Sequence, residues 1–484
     1  GEHPRFGATD VCPLVPIANI KMDEVVEYAH KLGERVGKEL KIPAYFYEFA
    51  AKEEKRKNLA TVRSGEYEGL AKKLSNTEWK PDFGPAEYTE KVKKTGVTAI
   101  SARNFLVAYN FNLNTTSTRR ANAIAFDVRE AGRFKLDPKT KTKVLDKNGN
   151  PIRVPGTLLK TKAIGWYIEE YGIAQISMNL TDISVTSIHQ AFDEVVKSAT
   201  SRGIRITGSE LVGLVPKQAL IDAAKHYLTK QQRSLGISEE ELIKIAVKSL
   251  GLDDLKPFIP EEKIIEYLLE DESTQPLINM TVKGFAEETA SESPAPGGGS
   301  IAAYMGALGA SLGTMVANLS SHKRGWDDRW AEYSVWAEKG QAYKDELLAL
   351  VDEDTNAFNK IMDAFKLSKG NDEEKAIRKQ AIQDATKYAI EIPFRVMKTC
   401  YDSMEVMEAM ANTGLSASIS DAGVGTLAAR AGVMGAFLNV KINASGLDDK
   451  DFLDKLISEA EQIQKDAISK EQKILKIVNE KIAG

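Results

Sequence analysis

The segment 290–301 constrains the fold of this chain more than any other part of the sequence. It reads Ala-Ser-Glu-Ser-Pro-Ala-Pro-Gly-Gly-Gly-Ser-Ile, and its two prolines and three glycines disfavour regular structure up to Gly299. Ser300 is a good N-cap residue, and the uncharged stretch that follows it predicts a helix. A glycine run at a helix N-terminus presents free backbone N–H groups, which can bind an anion. An interdomain linker that ends in an N-cap explains the same residues equally well.

The predicted helix 301–319 has two unlike sides. Its nineteen uncharged residues are long enough to span a bilayer, but many are Gly, Ala, Ser or Thr, which makes insertion marginal. Small residues on one side allow close helix packing. The larger apolar residues recur at helical spacing on the other side; they are Ile301, Met305, Leu308, Leu312, Met315 and Leu319. We therefore predict a buried helix in an all-helical domain and no membrane span.

Composition narrows the classes of function. At 484 residues the chain is too long for one hydrophobic core, so about two to four domains are expected. A net charge of −4 gives no electrostatic case for nucleic-acid binding. The two cysteines, Cys12 and Cys400, lie far apart, and the five histidines show no metal-binding spacing. These features predict a reducing, cytoplasmic setting and no structural metal site.

The middle of the first half carries a recognisable order of elements. Residues 103–113 alternate between apolar and polar positions, which predicts a strand. The elements that follow it are a helix at 118–132, strands at 163–169 and 173–179, a helix at 185–202 and a strand at 203–208. The order β-α-β-β-α-β is that of the split βαβ, or ferredoxin-like, fold.

A shorter β-α-β precedes it. Strands are predicted at 11–17 and 44–49, with a helix at 22–40 between them. This unit matches the second half of another split βαβ whose first half is absent. The chain also starts at Gly1 rather than at a methionine, so we expect the natural protein to begin earlier.

From about 276 the pattern is helical to the end. The longest helical periods cover 345–367, 373–401 and 449–482. The predicted fold class is therefore α+β followed by all-α. We expect two ferredoxin-like split βαβ subdomains, the first incomplete, and then an all-helical domain. The predicted domains are 1–100, 101–275 and 276–484.

Asp354 is the first candidate for chemistry. It lies on an apolar stripe of a predicted helix that includes Leu347, Val351 and Phe358, so it faces the core or a cleft. A carboxylate there loses solvation, its pKa rises, and it can both take and give a proton near neutrality. An ion pair with a lysine or arginine of a neighbouring helix explains the position equally well. Asp352 is expected to point elsewhere and to be solvated.

Three other places carry candidates. His3 stands among charged residues in Glu-His-Pro-Arg, where a histidine can act as a general acid and base. A solvated loop histidine is the commoner case. The segment from Trp79 to Gly96 has the aromatic, Gly and Pro content of a shaped binding loop, although a plain connection fits too. Asp421 precedes a helix of small residues, and an N-cap role is favoured slightly over a functional one.

Several motifs resemble one enzyme family. Residues 1–270 contain GEHPRFGATDVCPLVPI, SGEYEGLAKKL, WKPDFGP, ARNFLVAYNFNL, GWYIEEYGIAQISMNLTD and GSELVGLVP, which are similar to glutamate formimidoyltransferases. Residues 280–484 contain PAPGGGSIAA, LVDEDTNAFN and SDAGVGTLAARAGVMGAFLNVKIN, which are similar to formimidoyltetrahydrofolate cyclodeaminases. The two sets of motifs, in this order in one chain, resemble the bifunctional formimidoyltransferase-cyclodeaminase family of histidine degradation.

The resemblance implies two activities. The first half would transfer the formimidoyl group of N-formimidoyl-L-glutamate to N5 of tetrahydrofolate. The second half would close that product to 5,10-methenyltetrahydrofolate and release ammonia. Tetrahydrofolate is a substrate in this scheme, and no metal or redox cofactor is implied. The resemblance also implies a homo-oligomer in which dimers assemble into a larger ring.

The resemblance further assigns site residues. The transferase acid/base would be His3, and the cyclodeaminase acid/base would be Asp354, the second aspartate of Val-Asp-Glu-Asp. Folate would bind the segment after Pro-Asp-Phe, which is longer and more charged here than in the family. The residues assigned to folate binding are Gly84, Pro85, Ala86, Glu87, Tyr88, Lys93, Thr95 and Gly96.

Two alternatives stay open at this point. Only the second half could be active, as a cyclodeaminase or a methenyltetrahydrofolate cyclohydrolase, because the first β-α-β lacks its partner half. The chain could instead be a non-catalytic folate-binding or assembly protein. The presence of both His3 and Asp354 argues against this last reading.

Overall fold

The chain folds into two compact units. The computed structural model describes residues 5–17, 19–269 and 276–483, and its units are Gly1–Gly213 and Leu214–Gly484. The first unit contains both sheets that carry the predicted strands. The second unit contains the long helices.

A three-stranded parallel sheet opens the first unit. Strand β1 (Val11–Leu14) and strand β2 (Ala44–Glu48) flank β3 (Thr98–Ala102), and helix α1 (Met22–Glu39) connects β1 to β2. The predicted β-α-β is confirmed. All five β3 residues are buried, so the strand lacks alternation and sequence analysis missed it.

Short helices fill the connection between β2 and β3. They are α2 (Leu59–Val62), α3 (Leu70–Leu74) and α4 (Glu90–Thr95). Helix α4 lies inside the segment assigned to folate binding. Thr89 caps it, because its side chain accepts a hydrogen bond from the backbone of Val92.

The second sheet has four antiparallel strands in the order β7-β8-β4-β9. If these four strands are numbered 1 to 4 by their order along the chain, they lie in the sheet in the order 4-1-3-2. The ferredoxin-like prediction is therefore confirmed. The elements are β4 (Val107–Leu113), α5 (Thr118–Val128), β7 (Thr161–Ile168), β8 (Ile173–Leu180), α6 (Ile188–Thr200) and β9 (Ile206–Val212). A small pair, β5 (Arg133–Phe134) and β6 (Arg153–Val154), closes a polar excursion between α5 and β7.

The second unit is helical. Its first helix, α7 (Lys217–Lys230), was missed by sequence analysis. Every regular element described between 276 and 483 is a helix, as predicted. The helices are α7 (Lys217–Lys230), α8 (Glu239–Leu250), α9 (Pro260–Lys263), α10 (Ile265–Leu269), α11 (Val282–Thr289), α12 (Gly298–Ser321), α13 (Trp330–Lys366), α14 (Asp372–Thr413), α15 (Ile419–Ala444) and α16 (Lys450–Ala483).

Helix α12 packs against α13, α14 and α15 through its small residues. A Cβ atom added to Gly306 would lie 2.3 Å from Cys400 Sγ, and one added to Gly309 would lie 2.7 Å from the carbonyl oxygen of Gly425. The close helix approach that the sequence predicts is therefore confirmed. The larger apolar side faces away from the core, since Leu308 and Leu319 are 47% and 44% exposed.

Two helical stretches, Gly298–Ser321 and Ser416–Ala444, are long and apolar enough to cross a membrane by length and composition alone. Their most apolar windows are 61% and 50% buried inside the protein. In this structure both are packed helices of the second unit, in line with the predicted core helix.

We expect Gly306→Ala to lower the free energy of unfolding of the second unit by about 1–3 kcal/mol, because the new methyl group overlaps Cys400 Sγ. Thermal unfolding of the full chain, followed by the helical circular dichroism signal, measures the loss. Gly446→Ala is the matched control, since its nearest neighbour would be at 3.4 Å. In the double variant Gly306→Ala/Cys400→Ala the two losses should be less than additive. Strict additivity would contradict the packing described here.

Candidate active site

The carboxylate of Asp354 lies at the N-terminus of α12. The backbone N–H of Ser300 donates to Asp354 Oδ2 at 3.0 Å, and Ser300 Oγ lies 3.4 Å from the same oxygen. Ser300 Oγ also donates to the carbonyl oxygen of Val351 at 2.8 Å, which joins α12 to α13. A Cβ atom on Gly299 would lie only 2.1 Å from Asp354 Oδ1. The glycine run therefore makes room for a carboxylate of the protein itself at the predicted anion site.

Burial raises the pKa of Asp354 above its ordinary value, although the hydrogen bonds from Ser300 act in the opposite direction. Among the described residues, no lysine or arginine forms an ion pair with Asp354. The structure therefore gives no support to the structural ion pair that the sequence left open. An uncompensated, largely buried carboxyl group is suited to carry a proton.

A cavity of about 160 Å³ opens beside Asp354. Backbone of the Pro/Gly segment forms one wall, and α13, α14 and α15 form the others. The lining residues are Pro294, Ala295, Gly297, Gly298, Asp354, Thr355, Ala357, Phe358, Ile361, Ala389, Asn439 and Asn443. Sequence analysis identified Asp354 but missed Thr355, Asn439 and Asn443 as pocket residues. The two asparagines stand four residues apart at the polar end of an otherwise small and apolar helix, which is the signal that was available.

The expectation for Asp352 was wrong. It is 3% exposed, and it accepts hydrogen bonds from the backbone N–H groups of Leu277 at 2.9 Å and Ile278 at 3.2 Å. Residues that are two positions apart in an α-helix are about 200° apart around its axis, so Asp352 points away from Asp354. The chain at 277–278 covers that side of α13, which the helical period of α13 alone does not reveal.

Asp421 is not an N-cap residue. It lies in the first turn of α15, and Ser418 occupies the capping position before it. Its carboxylate there interacts favourably with the helix dipole.

His3 lies outside the described residues, but the chain that follows it is placed. The backbone N–H of Ala8 donates to Thr95 at 2.8 Å, and that of Val97 donates to Phe6 at 3.2 Å. Gly7 fits against residue 97 only as glycine, because an added Cβ would lie 2.1 Å from the carbonyl oxygen of Val97. Residues 6–8 therefore run beside the end of the segment assigned to folate binding.

The start of that segment is anchored by a buried ion pair. Asp82 Oδ2 accepts hydrogen bonds from the backbone N–H of Phe46 and from Arg56 Nη1, both at 2.9 Å. Arg56 Nη2 also donates to the carbonyl oxygen of Lys80 at 2.9 Å. The side chains of Arg56 and Asp82 are only 5% and 6% exposed. No sequence pattern singles out Arg56.

Two glycines shape the same segment. Gly84 and Gly96 have φ angles of +88° and +65°, a region that favours glycine. Added Cβ atoms would lie 2.5 Å from the carbonyl oxygen of Ile42 and 2.3 Å from the Cα of Gly7. Both positions therefore require glycine for backbone geometry.

The other residues assigned to folate binding lie on the outside of this segment. Lys93 Nζ is 6.0 Å from the centroid of the Tyr88 ring and also pairs with Glu90. Thr95 Oγ1 is hydrogen bonded to the backbone of Lys91 at 3.2 Å. Pro85 and Ala86 are half-buried, and Glu87 is exposed.

A second cavity of the first unit, of about 320 Å³, joins the ends of the two sheets. Three cationic side chains, Arg103, Lys160 and Lys162, and two anionic ones, Glu48 and Asp182, line it. Sequence analysis did not identify this site, because its walls come from segments that are distant in the chain. Cationic groups outnumber anionic ones in this lining, which suits a ligand that carries carboxylates.

Among the residues that the structure describes, no group of three or more His, Cys, Asp or Glu side chains is arranged to hold a metal ion.

Comparison with known protein families covers both halves of the chain. A model described as "Formiminotransferase domain, N-terminal subdomain" matches residues 1–103, and one described as "Formiminotransferase domain" matches 108–270. A third, "Formiminotransferase-cyclodeaminase", matches residues 281–462. Asp354 lies within this last match, and the segment 84–96 lies within the first.

Some curated relatives match only one half of the chain. The chain is 40% identical over 229 residues to a glutamate formimidoyltransferase of Streptococcus pyogenes, covering 47% of this chain and 68% of that one. It is 37% identical over 204 residues to a methenyltetrahydrofolate cyclohydrolase of Methylorubrum extorquens, covering 42% of this chain and 98% of that one.

Several relatives match nearly the whole chain, and one of them serves as an example. It is a formimidoyltransferase-cyclodeaminase of Gallus gallus, 40% identical over 470 residues, which are 96% of this chain and 83% of that protein. The identity is high over most of both proteins, and the three family models together cover most of this chain. This chain therefore belongs to the formimidoyltransferase-cyclodeaminase family.

Proposed function

We propose that this chain catalyses two consecutive steps of histidine degradation. It transfers the formimidoyl group of N-formimidoyl-L-glutamate to N5 of tetrahydrofolate, and it then cyclises 5-formimidoyltetrahydrofolate to 5,10-methenyltetrahydrofolate with release of ammonia. The observation that carries the proposal is the largely buried carboxyl group of Asp354, which lies beside a cavity and has no ion-pair partner among the described residues. The likeness of the first half to a glutamate formimidoyltransferase supports the transfer step.

We assign the cyclisation to Asp354. N10 of the folate attacks the carbon of the protonated formimidoyl group, and a new C–N bond forms. Asp354 accepts the N10 proton and then donates it to the nitrogen that leaves. Breaking the bond to that nitrogen releases ammonia and leaves the methenyl cation. The raised pKa of Asp354 suits a group that must hold this proton only briefly.

We assign the transfer to His3. N5 of tetrahydrofolate attacks the same amidine carbon while that carbon is still bonded to the glutamate nitrogen. A base must remove the N5 proton, and an acid must protonate the departing glutamate nitrogen. One histidine can perform both roles near pH 7. Both steps balance with proton transfers alone, so tetrahydrofolate enters as a substrate and not as a redox cofactor.

The first unit offers places for both substrates. We propose that folate binds along residues 84–96, beside residues 6–8, with Gly84, Pro85, Ala86, Glu87, Tyr88, Lys93, Thr95 and Gly96 in contact. The cavity lined by Arg103, Lys160 and Lys162 would hold the carboxylates of the glutamate part. The buried pair of Arg56 and Asp82 keeps the start of the folate segment in place.

Two activities are favoured over one. Each half of the chain matches curated relatives or family models of the corresponding activity, and Asp354 retains the environment of an acid/base. The proposed domains are 1–100, 101–275 and 276–484. We propose a cytoplasmic location for the enzyme.

We also propose that the chain forms a homo-oligomer through its second unit. Helices α12 and α15 pack against each other and leave large apolar side chains exposed. Leu438 and Ile442 of α15 are 63% and 71% exposed, and Leu308 of α12 is 47% exposed. Exposed apolar surface of this kind is typical of protein interfaces. A second copy of the chain is the proposed partner, within a dimer that assembles further.

The two activities should separate by mutation. Asp354→Asn is expected to lower the rate of cyclisation by at least about a hundredfold and leave transfer unchanged, because it removes one proton carrier and keeps the side-chain volume. His3→Ala should lower the rate of transfer and leave cyclisation unchanged. Formation of methenyltetrahydrofolate is followed by absorbance, and transfer by loss of formimidoyl-glutamate. Normal cyclisation by a folded Asp354→Asn variant would contradict the assignment of Asp354.

Asp354→Asn should also change the pH dependence of stability. A carboxyl group whose folded pKa is raised contributes stability below its ordinary value of 3.8, and this contribution is lost as the pH rises through the folded pKa. The melting temperature of the variant relative to the unmodified protein should therefore increase as the pH rises from 3.8. A relative decrease would indicate that Asp354 is instead a stabilising ion-pair partner.

Oligomer formation is tested by Leu438→Arg, which places a charge on the exposed face of α15. Light scattering after size exclusion should show an oligomer for the unmodified chain and a smaller species for the variant. Ile377→Arg on α14 is the control, since Ile377 is 59% exposed on another helix. A monomeric unmodified chain would rule out the proposed assembly.

A further inference from the structure

We propose that the cavity beside Asp354 recognises its substrate through the positively charged amidinium nitrogen, by means of Asn439, Asn443 and Thr355. The cavity would then select a formimidoyl group over a neutral formyl group. The inference rests on the proposed cyclisation and adds the basis of its specificity.

The polar side chains that line the cavity carry one carboxyl group, two amide groups and one hydroxyl group. Besides Asp354, the polar side chains are those of Asn439 and Asn443 on α15 and Thr355 on α13. No lysine, arginine or histidine is among the described residues that line it. A cavity with this lining matches a ligand that donates N–H groups and carries positive charge.

The two asparagines are held in one orientation. Asn439 Nδ2 donates to the backbone carbonyl of Gly435 at 2.9 Å, and Asn443 Nδ2 donates to that of Ala389 at 2.7 Å. Each amide therefore uses one of its two N–H donors within the protein. Neither Oδ1 atom has a hydrogen-bond partner among the described residues, so both carbonyl oxygens are available as acceptors.

Gly298 keeps the first of these amides accessible. A Cβ atom at Gly298 would lie 3.3 Å from Nδ2 and 3.6 Å from Oδ1 of Asn439. A side chain at this position would extend over the amide from the wall of the cavity. The glycine run therefore opens the cavity on the side of Asn439 as well as on the side of Asp354.

Thr355 supplies a second independent observation. Its Oγ1 atom is buried and has no hydrogen-bond partner among the described residues, although the residue lines the cavity. Buried hydroxyl groups in proteins are nearly always paired, so an unpaired one beside a cavity indicates a partner that a ligand supplies.

The chemistry of the substrate fits this arrangement. A formimidoyl group in its cationic form carries N–H bonds, and the departing nitrogen keeps N–H bonds until it leaves as ammonia. A formyl group carries an oxygen at that place, which has no N–H to donate to the oxygens of Asn439 and Asp354. The cavity of about 160 Å³ holds this reacting group rather than a whole folate.

The test compares two folate ligands on variants of the full chain. For Thr355→Val we expect KM for 5-formimidoyltetrahydrofolate to rise about tenfold or more, equivalent to about 1.4 kcal/mol. Inhibition by 5-formyltetrahydrofolate should stay unchanged, so the preference for the cationic ligand falls by the same factor. Thr355→Ser keeps the hydroxyl group and should keep the preference. Asn439→Leu, which removes the acceptor, should lower the preference at least as far.

Two further readouts separate a binding role from a structural one. Thr355→Val should melt at a higher temperature than the unmodified chain without ligand, because it removes an unpaired buried hydroxyl group. Formimidoyl transfer by the same variant chains should be unchanged. Unaltered ligand preference in both Thr355→Val and Asn439→Leu would overturn the inference and leave the proposed cyclisation intact. Absence of cyclisation in the unmodified chain would overturn the proposed function and this inference together.

Discussion

The contact between Asp354 and the first turn of α12 organises the second unit. Gly299 lets the carboxylate approach the helix N-terminus, and Ser300 holds it there while also binding the carbonyl of Val351. The same contact removes the carboxylate from water, and burial raises its pKa. One arrangement of backbone thus positions the proposed acid/base, sets its proton affinity and forms a wall of the cavity.

Close packing of α12 makes this arrangement possible. Gly306 and Gly309 bring α14 and α15 against it, and α15 carries Asn439 and Asn443 into the cavity wall. The large side chains of α12 then remain on its outer face. The packing that builds the proposed active site therefore also leaves the apolar surface through which we propose that copies of the chain associate.

In the first unit, a buried ion pair orders a loop. Asp82 and Arg56 form a buried pair that binds backbone groups on both sides, so the start of the segment 84–96 is fixed to β2. Breaking such a pair by removing one partner leaves an uncompensated buried charge, which is strongly unfavourable. The end of the segment is fixed separately by residues 6–8. A folate site built there would be ordered before its ligand binds.

The sequence by itself determined the ferredoxin-like order of the second sheet, the helical second half, the small-residue face of α12 and the position of Asp354 on the core side of α13. These follow from local periodicity and from residue size, which one segment carries alone. Tertiary structure decided the rest. The fully buried strand β3 has no alternation to read, Asp352 is covered by a chain segment 74 residues away along the sequence, and Arg56, Asn439 and Thr355 gain their roles only from residues that folding brings beside them. The periodicity of a helix or strand reveals which way a side chain points. Its charge state and its function depend on the residues that the rest of the chain places around it.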